Sequence, residues 1–130
     1  MAGSAARTDE GAVVGHHNEV RLVGRLAAVP VRRELPSGDV LVQFRLVVDR
    51  AAPPGRGRPA GRRTPTVDTL ECAAWRKDVQ RSLGGCLPGD IVEVLGALRR
   101  RFWRSPGGAA SRSEVETVRL RRLVRPTPRT

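Results

Sequence analysis

TVDTLECAAWRKDVQRSLGGCLPGDIVEVLGALRRRFW, residues 66–103, decides the fold of this 130-residue chain. Leu70, Cys72 and Ala74 alternate with Glu71, Ala73 and Trp75, the period of a half-buried strand. Arg76 to Leu83 reads as a short helix. Gly84-Gly85 reads as its stop, because glycine enters the left-handed C-cap conformation without steric penalty. Pro88-Gly89-Asp90 turns the chain, and Ile91 to Leu98 supplies aliphatic and β-branched residues for another strand. That strand does not end in turn residues. It runs on into Arg99, Arg100, Arg101, Phe102, Trp103 and Arg104, interleaving guanidinium groups with aromatic rings.

Aromatic residues are scarce: two Trp, two Phe and no Tyr. A tryptophan in a strand ordinarily packs in the core, but strand parity argues against that here. Trp75 shares its face with Glu71 and Thr69, and Trp103 shares its face with Arg101 and Arg99. Rings set among arginines suit base stacking combined with phosphate contacts.

The bulk properties agree. One domain accounts for the length. The formal charge is +11, and Lys77 is the only lysine among 24 basic residues, which leaves 23 arginines. Arginine offers bidentate phosphate contacts and planar stacking that lysine does not, and a charge this far from neutral implies a polyanionic partner. The heavy use of Arg, Ala, Gly and Pro is also the pattern a GC-rich genome produces, an alternative reading for part of this basicity that needs no function. No apolar run reaches the roughly 18 residues a membrane span needs. The first residues lack the apolar core of a signal peptide, so a cytoplasmic, nucleoid-associated location is expected, with no membrane partner. The two cysteines, Cys72 and Cys86, lack CxxC spacing and a nearby histidine, so they read as small buried hydrophobes rather than metal ligands. A disulfide is disfavoured in a reducing compartment. No cofactor is expected.

Outward from the deciding stretch, residues 1–17 are small, polar and glycine-rich and read as a flexible arm, with His16 and His17 solvated. Asn18 to Val31 reads as a first strand, with Val20, Leu22 and Leu26 on one face and Arg21 and Arg25 on the other. Gly24 marks a bulge or bend in it, and Pro30 a further irregularity. Pro36-Ser37-Gly38-Asp39 is a turn. Val40 to Val48 alternates most cleanly: Val40, Val42, Phe44, Leu46 and Val48 against Leu41, Gln43, Arg45, Val47 and Asp49. Residues 50–65 carry four Pro, three Gly and five Arg without one acid, and read as a loop that closes over a phosphate backbone. Ser105 to Arg112 reads as a second long loop, and Glu114 to Val124 as the final strand. Residues 125–130 form a short basic tail. Five strands with one short helix between the third and fourth make an all-β chain, a Greek-key barrel of the OB-fold type.

Three segments in order carry a resemblance: NEVRLVGRLAAVPVRRELPSGDVLVQFRLVVDR at 18–50, CAAWRKDV at 72–79, and LPGDIVEVLGALRRRFW at 87–103. Over residues 18–124 the chain resembles the bacterial single-stranded DNA-binding proteins. The resemblance implies an OB-fold that assembles as a homotetramer, with a dimer as the alternative. It implies binding of single strands with little sequence preference, in replication, recombination and repair. It also implies that Trp75 and Trp103 stack bases, with Arg99 and Arg101 beside Trp103, Arg33 before the first hairpin turn and Lys77 at the helix start. Arg45 and Arg50 complete the candidate binding set.

Departures from the pattern shape the expectation. Thr69 stands where many members carry another stacking Trp, and Glu71 places a carboxylate on the expected binding face. The segment RPTPRT stands where the family's acidic tip recruits partner enzymes, so no such recruitment is expected and a short paralogue is the reading, serving a process such as transformation. Nothing in the chain suggests catalysis: there is no carboxylate pair beside a His, no Cys–His pairing and no phosphate-binding Gly loop. Two rival readings are a primosome-type adaptor, dimeric and bridging replication proteins, and an RNA-binding OB protein suggested by charge alone.

Overall fold

The computed structural model describes residues 15–51 and 65–127. Its elements are β1 (Val20–Leu26), β2 (Val31–Glu34), β3 (Val40–Asp49), β4 (Val67–Ala74), α1 (Lys77–Gly84), β5 (Ile91–Ser105) and β6 (Gly108–Val124). Alternation along β3 turns Phe44 and Leu46 inward, with Val42 and Val48 packed at the margin of the same core. Val92 and Val94 of β5, Cys72 and Ala74 of β4, Val115 and Leu120 of β6, and Leu26 of β1 complete it. One way for period-two strands to meet in a single interior is for their sheet to close on itself. It does: the order β1-β5-β6-β4-β3 is joined by a β3–β1 pairing, giving a five-stranded barrel, and β2 lies outside this ring, along β3. The β4–β6 contact is parallel and short, Cys72 opposite Val115 and Ala73 opposite Glu116.

Closure depends on a close approach at Gly24. β1 pairs with β5 up to Arg25–Ile91, then passes to β3 at Arg25–Val47 and Leu26–Leu46. A Cβ on Gly24 would lie 2.4 Å from the Val47 carbonyl oxygen, so the strand changes partners where only glycine fits. The expected bend at Gly24 is thus a crossing point of two backbones.

α1 plugs the barrel on its apolar side, burying Val79 and Leu83, each contributing about 1.5–3 kcal/mol. The Gln80 side-chain amide donates to the carbonyls of Val40 and Ala74, both at 3.0 Å, and so ties the helix to the start of β3 and the end of β4.

Three expectations are corrected. The first strand is not continuous from residue 18 to 31. It breaks between Leu26 and Val31, and Val31–Glu34 pairs with β3 as a separate strand. The helix does not end on a left-handed glycine. Gly85 has φ −92° and ψ 3°, and its N–H reaches the Ser82 carbonyl at 3.2 Å, a tight last turn that needs no positive φ. Among the described residues, positive φ is confined to Gly38 and Gly89, in turns, and Gly108, the first residue of β6. Finally, residues 109–112 are not a loop: β5 and β6 stay paired out to Ser105–Gly108, leaving only Pro106 and Gly107 at the turn. Residues 1–14 of the expected arm (1–17), 52–64 of the expected cationic loop (50–65) and 128–130 of the expected basic tail (125–130) lie outside the described residues.

Just beyond β6, Arg125 fastens the chain end to the barrel. Its Nη2 donates to the Asp90 carboxylate at 2.9 Å and to the Gly85 carbonyl at 2.8 Å, and Asp90 also accepts the Leu87 N–H at 2.8 Å. The Arg125 hydrogen bond first, and the Leu87 N–H second, hold the Asp90 carboxyl down at about 2. A carboxyl depressed in the folded state contributes stability above its ordinary value near 4, and that contribution is lost as pH falls from there towards about 2. Thermal unfolding from pH 7 to 2 should show D90N less stable than the parent at neutral pH, with the two curves converging in acid. A constant gap at all pH values would contradict this role.

Candidate nucleic-acid interface

Beyond Leu98 β5 has only β6 as a partner, and the two strands leave the barrel as a hairpin. Register assigns its two faces. Arg99, Arg101 and Trp103 stand with Ala110, Arg112 and Glu114 on one side. Leu98, Arg100, Phe102 and Arg104 stand with Ala109, Ser111, Ser113 and Val115 on the other. The first face looks across a groove towards β2 and β3. One part of the groove, about 410 Å³, is lined by Arg33, Gln43, Arg101, Trp103, Arg112 and Glu114. A second part, about 360 Å³, shares Arg33, Gln43 and Arg112 and adds Val29, Val31, Arg45 and Glu71.

Charge in this groove is ordered. Glu71 accepts from Arg45 Nε at 2.7 Å and faces Arg112 Nη1 at 3.8 Å. The carboxylate expected to oppose a polyanion is therefore covered by two arginines. Glu114, only 3% exposed, sits 3.7 Å from Arg101 Nη1. At the hairpin base Arg99 Nε donates to Glu116 at 2.8 Å. Those of these pairs that are open to solvent add little stability, about 0–1 kcal/mol, and the consequence of all of them here is positional. They hold guanidinium planes against rings: Arg112 lies 5.8 Å from the Trp103 ring centroid, and Arg101 lies 6.0 Å from that of Trp75. With Arg33, Arg45, Arg101 and Arg112 against Glu71 and Glu114, the groove keeps a positive surplus.

Both rings remain partly open. Trp103 is 41% exposed, and Trp75, just past the end of β4, is half-buried. A flat ring, guanidinium planes and surplus positive charge in one groove are what single-stranded nucleic acid needs for stacking and phosphate neutralisation.

The model of the single-strand binding protein family matches residues 17–123. The chain belongs to the single-strand binding protein family. Among curated members, it is 29% identical over 91 residues to the Single-stranded DNA-binding protein B of Bacillus subtilis, covering 70% of this chain and 75% of that protein. It is 27% identical over 112 residues to the Single-stranded DNA-binding protein of Deinococcus radiodurans, covering 85% of this chain and 36% of that longer protein. A chain of the Plasmodium falciparum SSB complex with ssDNA superposes with a TM-score of 0.68 at 20% identity, over 85% of this chain and 97% of its own. That likeness establishes the OB-fold.

Within this family member, the structure brings Trp103, Arg101, Arg33 and Arg45 to one groove, joins Trp75 to them through Arg101, and sets Arg99 at the hairpin base. Lys77 opens α1 as an exposed residue and does not line the groove. Nor does Arg50, which grips Asp68 through Nη2 at 2.8 Å and Nε at 3.1 Å. Gln43 and Arg112 line the groove without having been expected there. Gln43 was legible from its parity with Arg45. Arg112 follows only once the turn is shortened to Pro106-Gly107, since counting back from Ser105–Gly108 then places it opposite Arg101.

The two cysteines take no part. Both are free, buried thiols. Burial, followed by the Glu71 and Glu114 carboxylates, pushes Cys72 up to about 12, and burial also raises Cys86. Both stay protonated at neutral pH and act as packing groups.

Proposed function

We propose that this chain binds single-stranded DNA along the groove between the β5–β6 hairpin and β2–β3. Trp103 and Trp75 stack bases, while Arg33, Arg45, Arg99, Arg101 and Arg112 neutralise phosphates. The observation that carries the reading is the pairing of Trp103 with Arg112 and of Trp75 with Arg101, at 5.8 and 6.0 Å, beside a groove with surplus positive charge. No base edge is selected by such a surface, because every base offers a π-face, so little sequence preference follows. The role is binding and protection, not catalysis, in replication, recombination, repair or transformation. The assembly is a homotetramer, at the nucleoid in the cytoplasm. Membership of the single-strand binding protein family supports single-stranded DNA as the partner.

The test is intrinsic tryptophan fluorescence during titration with oligo-dT and, separately, with duplex DNA of equal length. Both indoles belong to the site, so oligo-dT should quench strongly at moderate salt and duplex only weakly. Equal, salt-sensitive binding of both would reduce the groove to a basic surface without a stacking platform and would favour the adaptor reading.

A further inference from the structure

Phe102 is the most exposed of the large apolar side chains among the described residues, at 73%, and it stands on the face of the hairpin opposite Trp103. The Arg100 guanidinium lies 5.9 Å from its ring centroid and is held there by an Nη2 hydrogen bond to Ser111 Oγ at 3.0 Å. The chemistry of this outer face differs from the groove face in one respect. In the groove and at its base Arg99, Arg101 and Arg112 each meet a carboxylate: Glu116, Glu114 and Glu71. On the outer face Arg100 and Arg104 stand among Ala109, Ser111 and Ser113. Neither has a carboxylate within ion-pair distance among the described residues.

An exposed ring flanked by uncompensated guanidinium groups does nothing for the barrel. It is also a poor surface for a second copy of the chain, which would bring further positive charge from a total of +11. Its complement is a polyanion with flat apolar faces. A single β layer separates this face from the groove, and the hairpin closes through only Pro106 and Gly107. We propose that the outer face, built on Phe102, Arg100 and Arg104, is a second stacking and phosphate site. It takes the segment of single-stranded DNA that leaves the Trp103 groove and passes around the hairpin tip. The hairpin then grips one strand on both sides. The inference rests on the groove reading above and extends it to longer strands.

Two lengths of oligo-dT separate the sites: one of about 6–8 nucleotides, within the span of a single barrel, and one about three times longer. Phe102 is exposed, so F102A keeps the fold. F102A should leave affinity for the short oligonucleotide unchanged and weaken the long one about 5-fold or more, the loss of one stacked base. R100Q should lower the salt slope by about 0.7 for the long oligonucleotide alone. Equal weakening at both lengths, no weakening at either, or a change of mass in solution in F102A, the mark of a copy–copy contact, would each overturn the proposal. In those cases short-oligonucleotide binding by the parent protein leaves the groove reading standing. Failure of the parent to bind the short oligonucleotide removes the groove and, with it, the outer site.

Discussion

Trp103→Ala should lower affinity for oligo-dT by roughly 5- to 150-fold, the 1–3 kcal/mol that stacking on an aromatic platform contributes per base. The ring is 41% exposed and lies outside the buried core cluster, so thermal stability should change little. The slope of log affinity against log salt should not change either, because that slope counts displaced counterions and indole displaces none. Arg33→Ala is the complementary probe. Arg33 lines both parts of the groove and has no carboxylate partner among the described residues. Its loss should flatten the salt slope by about 0.7, one phosphate contact in a single strand, with a smaller loss of affinity at high salt. Arg101 is a less clean probe, since truncating it would strand the buried Glu114 carboxylate and mix a folding defect into the binding defect. Salt titration of both variants beside the parent protein decides the matter. An unchanged affinity for Trp103→Ala, or a slope that falls with it, would place the indole outside the site.

Period-two alternation made the barrel legible. Phe44 and Leu46 in β3 and Cys72 and Ala74 in β4 are all buried on the face that alternation assigns them, and the aliphatic run expected as a strand buries Val92 and Val94 in β5. The turns at Gly38 and Gly89 were legible from Pro, Ser, Asp and Gly side by side, because the conformation needed there, φ 93° in both, is one glycine supplies. The two tryptophans stood out because so few other rings exist and because each shares its face with charge.

What the sequence hid were properties of pairing rather than of residues. The break between β1 and β2 follows from β1 leaving β5 to meet β3, a long-range event with no local signature beyond Gly24 and Pro30. The run Gly108 to Ser113 is rich in small and polar residues, the composition of a loop, yet it holds as strand because β5 offers an unpaired edge for it to follow. That single change of state delivers Arg112 to Trp103. Leu41 and Ala73, on the outward faces of β3 and β4, are fully buried although their parity predicts exposure. The charged partners were hidden for the same reason. Glu71 looked like a liability for DNA binding until its neighbours, Arg45 across the β3–β4 ladder and Arg112 from β6, were in place.

Gly96→Ala should be the most damaging small substitution in the hairpin strands. β5 and β6 change register between Leu95 and Gly96, and β6 crosses close enough that a Cβ on Gly96 would lie 2.0 Å from the Glu116 carbonyl oxygen and 2.9 Å from its carbon. Both are backbone atoms, so no side-chain rotation relieves the clash, and a strand must shift. Overpacking of this kind costs about 1–3 kcal/mol and occasionally more. The rigidity of the obstacle puts Gly96→Ala at or above the top of that range, a fall in Tm of roughly 10 °C. The consequence reaches the site. Gly96 lies where β5 parts from β1, and Arg99, Arg101 and Trp103 follow it along the same strand. A displaced strand would carry Trp103 out of the groove, so binding of oligo-dT should weaken even at temperatures where the barrel stays folded. Gly107→Ala at the hairpin turn is the control. A Cβ there meets nothing within 4 Å, so stability should stay within about 0.5 kcal/mol and binding should be retained. Equal tolerance of both substitutions in calorimetry and titration would show that the bulge yields, and that the aim of the hairpin does not depend on it.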